Sequence, residues 1–205
     1  MTDQSVTKKK HTAILDAARA VFSRDGYAAS SVEEVAAEAG IAKGTVYLYF
    51  SSKEELYLAA LLRDVKAFGS AARTEMERAP TLLEKIEAFL RIRLEYCHAH
   101  EDFLRIYLTE YGKMSAMTPI AKQLRRMQRE NMRHLASLIE AAVRRHEIRP
   151  VPPAALAAKL FDIARGLVER QLLDWKEFQV RNEIAFATDL LWRGIAHQGP
   201  ARREK

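Results

Sequence analysis

Residues 30–56, SSVEEVAAEAGIAKGTVYLYFSSKEEL, decide the fold. Ser30 or Ser31 opens a helix, with Glu33 or Glu34 three residues on. That is the spacing of a capping box, in which each side chain satisfies the other residue's backbone N–H. Val32, Val35, Ala36 and Ala39 supply the inner face. Gly40 stops the helix, because the turn needs a positive φ or a close approach of two helices. A second short helix is expected over about 43–49, with Val46 and Phe50 four apart on its core side. Ser51 or Ser52 then starts a long helix over about 53–78. Two short helices around a tight Ala39-Gly40-Ile41 turn make a helix-turn-helix.

Working outward, the pattern stays helical. Upstream, Ile14, Ala18, Val21 and Phe22 fall on one face of a helix over about 9–24, ended by Asp25-Gly26. Downstream, Pro80, Pro119, Pro150, Pro152, Pro153 and Pro200 separate long stretches rich in Ala, Leu, Glu and Arg. Such residues favour helix, and proline marks helix ends. Helices are expected over about 82–98, 101–112, 119–146, 153–175 and 182–197. No run alternates with period two over strand length, so the chain reads as all-α with about nine helices. The expected division is a helix-turn-helix domain over residues 1–52 and a larger helical effector and dimerisation domain over 53–205.

Composition bounds the function. The 205 residues carry 33 Lys+Arg and 27 Asp+Glu, a formal charge of +6. The basic excess is not where a nucleic-acid reading would put it: residues 1–58 carry a net −1, residues 59–205 a net +7. Cys97 is the single cysteine, which excludes an internal disulfide or a thiolate zinc cluster and suits a reducing cytoplasm. The longest apolar run, residues 56–62, is far short of a membrane span, and no signal-peptide core follows Lys8-Lys9-Lys10. That lysine run reads equally as a DNA-contacting arm or a solubilising tail.

The second short helix carries the chemistry. Ala42, Lys43, Gly44 and Thr45 are small or polar, as a helix end entering a major groove requires. The N–H groups of such an end point at phosphates. Tyr47, Leu48 and Tyr49 straddle the outward side, and a tyrosine hydroxyl reaches phosphate while its ring packs on the sugar. Lys53 adds a charge at the next helix start. A plain packed core accounts for the Gly turn, but not for Gly44 in a first turn beside exposed tyrosines and a lysine.

At these residues the chain resembles the N-terminal domain of TetR/AcrR-type transcriptional repressors. The residues that carry the likeness are Gly26-Tyr27, Ser31-Val32-Glu33-Glu34-Val35-Ala36, Ala39-Gly40-Ile41, Lys43-Gly44-Thr45-Val46-Tyr47, Tyr49-Phe50 and Lys53-Glu54-Glu55-Leu56. The likeness spans about residues 9–60, a quarter of the chain. It implies that Ser31 binds phosphate, that Lys43, Gly44 and Thr45 approach base edges or backbone, that Tyr47 and Tyr49 clamp a strand, and that Lys53 grips a flanking phosphate. Leu48 stands where many relatives carry Tyr or His, which leaves more to Tyr47 and Tyr49. The resemblance also implies a homodimer on double-stranded palindromic operator DNA and a small-molecule effector in the C-terminal domain.

For the dimer, Leu156, Leu160, Ile163 and Leu167 form one stripe and Leu190, Leu191 and Ile195 another. A fully internal core would use the same pattern. A two-headed reader of half-sites about 34–36 Å apart, or multiples of it, favours the dimer. Candidate effector-lining residues are Phe89, Phe103, Tyr107, Tyr111, Met114, Met117, Phe161 and Trp175. Arg165 and Glu169 pair with each other, pair across a dimer, or orient a polar ligand. Lys122, Arg125, Arg126, Arg129 and Arg133 form either a solvated basic face or an entrance for an anionic effector such as an acyl-coenzyme A. His98 and His100, two apart, read as a helix junction and not as a metal site. No cofactor is expected.

An all-helical enzyme finds no support, since no nucleophile elbow, phosphate loop or H-E-x-x-H motif is present. A helical protein-interaction scaffold and a transcriptional activator without a small-molecule ligand both stay open.

Overall fold

The computed structural model describes residues 3–110, 118–173 and 179–196. Among them the named elements are all helices: α1 (Asp3–Ala29), α2 (Val32–Glu38), α3 (Lys43–Tyr47), α4 (Lys53–Arg78), α5 (Leu82–Ala99), α6 (Glu101–Glu110), α7 (Pro119–Arg144), α8 (Pro153–Leu172) and α9 (Val180–Ile195). The expected all-α fold is found. None of these helices is long and apolar enough to cross a membrane.

Helix ends follow local chemistry. Ser31, not Ser30, caps α2: its Oγ accepts from the Glu34 N–H, and the Glu34 carboxylate accepts from the Ser31 N–H at 2.6 Å. Gly40, at φ +67°, closes α2 in a Schellman turn. The Ile41 N–H reaches the Ala36 carbonyl at 2.9 Å, and the Gly40 N–H reaches that of Ala37 at 3.0 Å. Thr81 and Glu84 form the second expected capping box, at 3.3 Å in both directions. Gly26, at φ +76°, breaks the helical path inside α1, at the expected stop. Several ends differ from expectation by a few residues; α7 stops at Arg144 and not 146, and α8 at Leu172 and not 175. The first helix starts at Asp3 and not near residue 9, and α3 stops at Tyr47 instead of residue 49.

The chain divides into two compact units, residues 1–67 with 100–126, and residues 68–99 with 127–205. In the first, α1 packs on α2 and α6, and α2 on α3. Its core holds Ile14, Ala18, Val21 and Phe22 of α1 and a continuous buried run from Leu56 to Leu62 of α4. Three rings lock α1 to α4: Phe22 meets Tyr57 edge-on at 5.5 Å, and Tyr27 meets Tyr57 at 5.6 Å. Tyr57 is fully buried. Truncating such an aromatic to alanine costs about 3–5 kcal/mol. The buried Asp64 takes Arg19 at 3.4 Å, and Asp16 takes Arg63 at 2.7 Å.

In the second unit α5 packs on α8 and α9, and α8 on α9. Arg170 holds Glu183 through two hydrogen bonds, at 3.0 and 2.8 Å, clasping α8 to α9. The α7–α8 connection is tied to the end of α9, where the Arg149 N–H donates to the Ile195 carbonyl at 2.9 Å. Cys97 is buried, and burial pushes its thiol up to about 11.

The end of α7 holds an unexpected device. His146 takes the left-handed conformation, φ +57°, that a glycine usually supplies. The Glu147 N–H reaches the Ala142 carbonyl and the His146 N–H that of Val143, both at 3.0 Å. This Schellman turn runs without its glycine, so the imidazole-bearing residue carries left-handed strain. His146→Gly is expected to stabilise the protein by about 0.5–1 kcal/mol. Chemical denaturation of the two proteins checks it; a lower midpoint for the variant refutes it.

Candidate nucleic-acid interface

A helix of five residues cannot hold itself together in water. α3 is held from below, by Val46, fully buried, and by Phe50, 4% exposed, whose ring lies 5.3 Å from that of His11 on α1. Hung on these two residues, α3 turns Lys43, Gly44 and Tyr47 to the outside, with Thr45 half-exposed. Leu48, at the end of the helix, is 83% exposed.

Lys43, Lys53 and Ser31, and the rings of Tyr47 and Tyr49, already have partners within the chain. Lys43 pairs with Glu33 of α2, and its Nζ lies 5.7 Å from the Tyr47 ring centroid. That hydrogen bond raises the lysine's pKa and lowers the glutamate's. The pair is exposed, so it is easily exchanged for a phosphate or a base edge. Ser31 gives its hydroxyl proton to Glu34 at 2.9 Å.

Lys53 is the least free. Its Nζ donates to the Ser30 carbonyl at 2.6 Å and to that of Ala28 at 3.4 Å, and lies 4.6 Å from the Tyr27 ring centroid. Burial lowers its pKa, against a pull from Glu34 in the other direction. An ammonium has three donors, so one remains for a phosphate. Tyr49 is half-buried, edge-on to the His11 ring at 6.0 Å. The imidazole is held below its usual value by burial and by Arg63.

The cross-turn Lys43–Glu33 pair and the Lys53 staple were not foreseen. Ten and more than twenty residues separate their members, and no local period reports such contacts.

Gly44 is the informative residue. It is exposed, its φ is not left-handed, and a Cβ built on it meets nothing within 4 Å. Nothing inside this chain therefore requires glycine there, although glycine weakens a helix by about 1 kcal/mol relative to alanine. The bare position leaves room for something from outside.

The other candidate residues are more scattered. Phe89 and Phe161 do come together in the second unit, ring centroids 5.1 Å apart, beside a cavity of about 30 Å³. Arg165 is exposed and reaches Asp162 at 3.4 Å, so it does not line that cavity. Phe103 and Tyr107 lie on α6, in the first unit, and their side chains are outside the described residues, as are Tyr111, Met114, Met117 and Trp175 altogether. Of the dimer candidates, Leu160, Leu167 and Ile195 are buried within their own unit. Leu156, Ile163 and Leu191 are half-buried, and Leu190 is 63% exposed. Phe186, one turn before Leu190 and 68% exposed, was missed, though the spacing of four could have flagged it.

Gly44→Ala separates fold from binding. We expect an unchanged or slightly higher melting temperature together with a loss of affinity for duplex DNA, read by fluorescence anisotropy. Unchanged affinity would show that no partner approaches α3 at this residue.

Comparison with known proteins follows the same residues. The family model for bacterial regulatory proteins of the tetR family matches residues 14–60. The HTH-type transcriptional regulator YhgD of Bacillus subtilis is 29% identical over 178 residues, covering 84% of this chain and 86% of the relative. The HTH-type transcriptional activator FasR of Mycolicibacterium smegmatis is 26% identical, covering 90% and 82%. Among solved structures, the transcriptional regulator FadR of Bacillus subtilis in complex with stearoyl-CoA shares the fold, with a TM-score of 0.74 at 19% identity, covering 88% of this chain and 96% of that one. Residues 14–60 thus form a tetR-family DNA-binding head, and the chain is similar along most of its length to HTH-type transcriptional regulators.

Proposed function

We propose that this regulator is a homodimeric repressor that holds a palindromic operator and is released by a small molecule bound in its second unit. The observation that carries the DNA half is Gly44, a helix-weakening residue with open space around it on the outward side of α3. Around it, Ser31, Lys43, Thr45, Tyr47, Tyr49 and Lys53 form the proposed contact set. Lys43 exchanges Glu33 for a base edge or phosphate, and it is the one long cation on α3. With so few long polar side chains, direct readout is sparse, and DNA shape shares the specificity.

The dimer is proposed through the outward side of α8 and α9. Phe186 and Leu190 stand one turn apart and largely exposed, with Leu191, Leu156 and Ile163 half-buried. Two large apolar side chains in water on one helix face suit a partner surface. The internally buried Leu160, Leu167 and Ile195 support that face from behind.

Release is linkage. The effector need only favour the DNA-incompetent form by a few kcal/mol. We propose that α4, which contributes residues to both units, transmits the change. The stearoyl-CoA complex of FadR supports a ligand-binding role for the second unit, and an apolar or acyl-CoA-like effector is one member of the class proposed. An activator would use the same head and dimer, and the likeness to FasR supports that reading. A reporter under the chain's own operator decides: deletion raises expression for a repressor and lowers it for an activator.

DNA affinity should fall steeply with salt, with a log–log slope of about −0.9 per phosphate neutralised. Tyr47→Ala should weaken binding to all sequences, while Lys43→Ala should also relax base preference. A flat salt response, or no effect of either change, would overturn the proposed interface. For the dimer, Phe186→Glu with Leu190→Glu should give monomers by sedimentation velocity, with the helical circular dichroism retained. A dimer that survives both changes would place the interface elsewhere.

A further inference from the structure

The outermost face of α3 carries no polar side chain. A helix turns about 100° per residue, so residues four apart share a face and residues two apart lie nearly opposite. Val46 is fully buried and marks the inner side. Gly44 and Leu48 each stand two residues from it and so point outward. The Leu48 N–H donates to the Gly44 carbonyl at 3.2 Å, which holds the two one turn apart. Leu48 keeps helical angles, φ −69° and ψ −22°. Lys43 and Tyr47 lie on one flank of this face and Thr45 on the other.

Among the described residues Leu48 is the most exposed large apolar side chain, at 83%. A lone leucine in water usually needs no explanation. This one stands where a partner of α3 comes closest. Gly44, one turn back on the same face, has no side chain and open space where a Cβ would be. The bare glycine lets the helix backbone approach, and Leu48 is then the side chain that reaches furthest toward the partner.

The chemistry of the major groove says what can meet it. The base edges there offer hydrogen-bond donors and acceptors and one apolar group, the C5 methyl of thymine. A donor or acceptor covered by leucine loses its water and gains no partner, which is costly. The thymine methyl has no such atom to strand, and it loses apolar surface to water on contact. Phosphates stand at the rims of the groove, within the province of the flanking Lys43 and Tyr47. The polar flanks therefore position the helix, and the apolar face between them selects.

We propose that Leu48 is a specificity residue of the head, seated against the C5 methyl of a thymine in the major groove. This rests on reading α3 as the recognition helix, and it adds a base preference made without a hydrogen bond. The test starts from the full chain and a library of random duplexes, from which wild type and Leu48→Ala each enrich their preferred sequences. Wild type is expected to enrich a motif with thymine at a fixed position. Leu48→Ala should keep the rest of the motif and lose the preference at that position. Uracil, which is thymine without the methyl, is then placed there. Wild-type affinity should fall about fourfold for each thymine replaced, the worth of one buried CH₂-sized group. Leu48→Ala should bind the thymine and uracil duplexes equally. Its circular dichroism melt should match that of wild type, because Leu48 is exposed. A uracil duplex that wild type binds as tightly as the thymine duplex, or an equal uracil penalty in both proteins, would overturn the proposal. So would Leu48→Ala with wild-type affinity and preference, which would assign the leucine to a protein partner. Equal weakening of Leu48→Ala on all sequences would also overturn it and place Leu48 on the sugar-phosphate backbone. Absence of any enriched sequence would reject the recognition-helix reading and this proposal together, whereas an enriched motif that tolerates uracil rejects the methyl contact alone.

Discussion

The burial of Val46 and Phe50 is the constraint on which the rest depends. α3 has five residues and gains almost nothing from its own hydrogen bonds. Its position is set by two side chains sunk in the core of the first unit, and by the rings that stiffen that core around Tyr57. This arrangement frees the outward side of α3 from any structural duty. Gly44 can then be a glycine, Leu48 can stand in water, and Tyr47 can be half-exposed, because none of them holds the helix in place.

The electrostatics of the head follow a related logic. A net charge of −1 over residues 1–58 is a poor advertisement for a polyanion partner. Yet the acids there have local work. Glu34 closes the α2 capping box, Glu55 accepts from the Ser51 N–H at 2.7 Å, and Glu33 holds Lys43. In the proposed interface, attraction to DNA comes from a few placed groups and from helix N-termini, not from a diffuse basic surface. The cations are kept in register by partners that are weak enough to be exchanged. Lys53 differs, being bound to two carbonyls of the α1–α2 junction, and it is as much a clasp as a contact.

The second unit handles charge in the opposite way. Several of its exposed arginines sit in ion pairs with neighbours along one helix, as Arg144 does with Glu140 and Arg193 with Asp189. Such pairs do little for stability. Two arginines have other company: half-buried Arg93 is flanked by rings, and exposed Arg73 is engaged with Asn131.

Much of this was legible in the sequence. Helix propensity, proline placement and capping boxes gave the all-α order and fixed the bounds of α4 to the residue, because those signals act within one or two turns. The 30–56 stretch was equally legible, since its turn, caps and core positions lie within a few residues of each other. His146 was not, because a left-handed stop without glycine leaves no compositional mark. Which of the two apolar stripes of α8 and α9 faces inward was decided only by tertiary packing, which buried Leu160, Leu167 and Ile195 and left Phe186 and Leu190 outside. The pairs Lys43–Glu33 and Arg93 with Phe68 and Phe161 belong to the same class. The sequence by itself determined the order of the helices and most of their starts and turns, because those energies are local. The structure alone decided what each charge and ring meets, because those contacts join residues far apart along the chain.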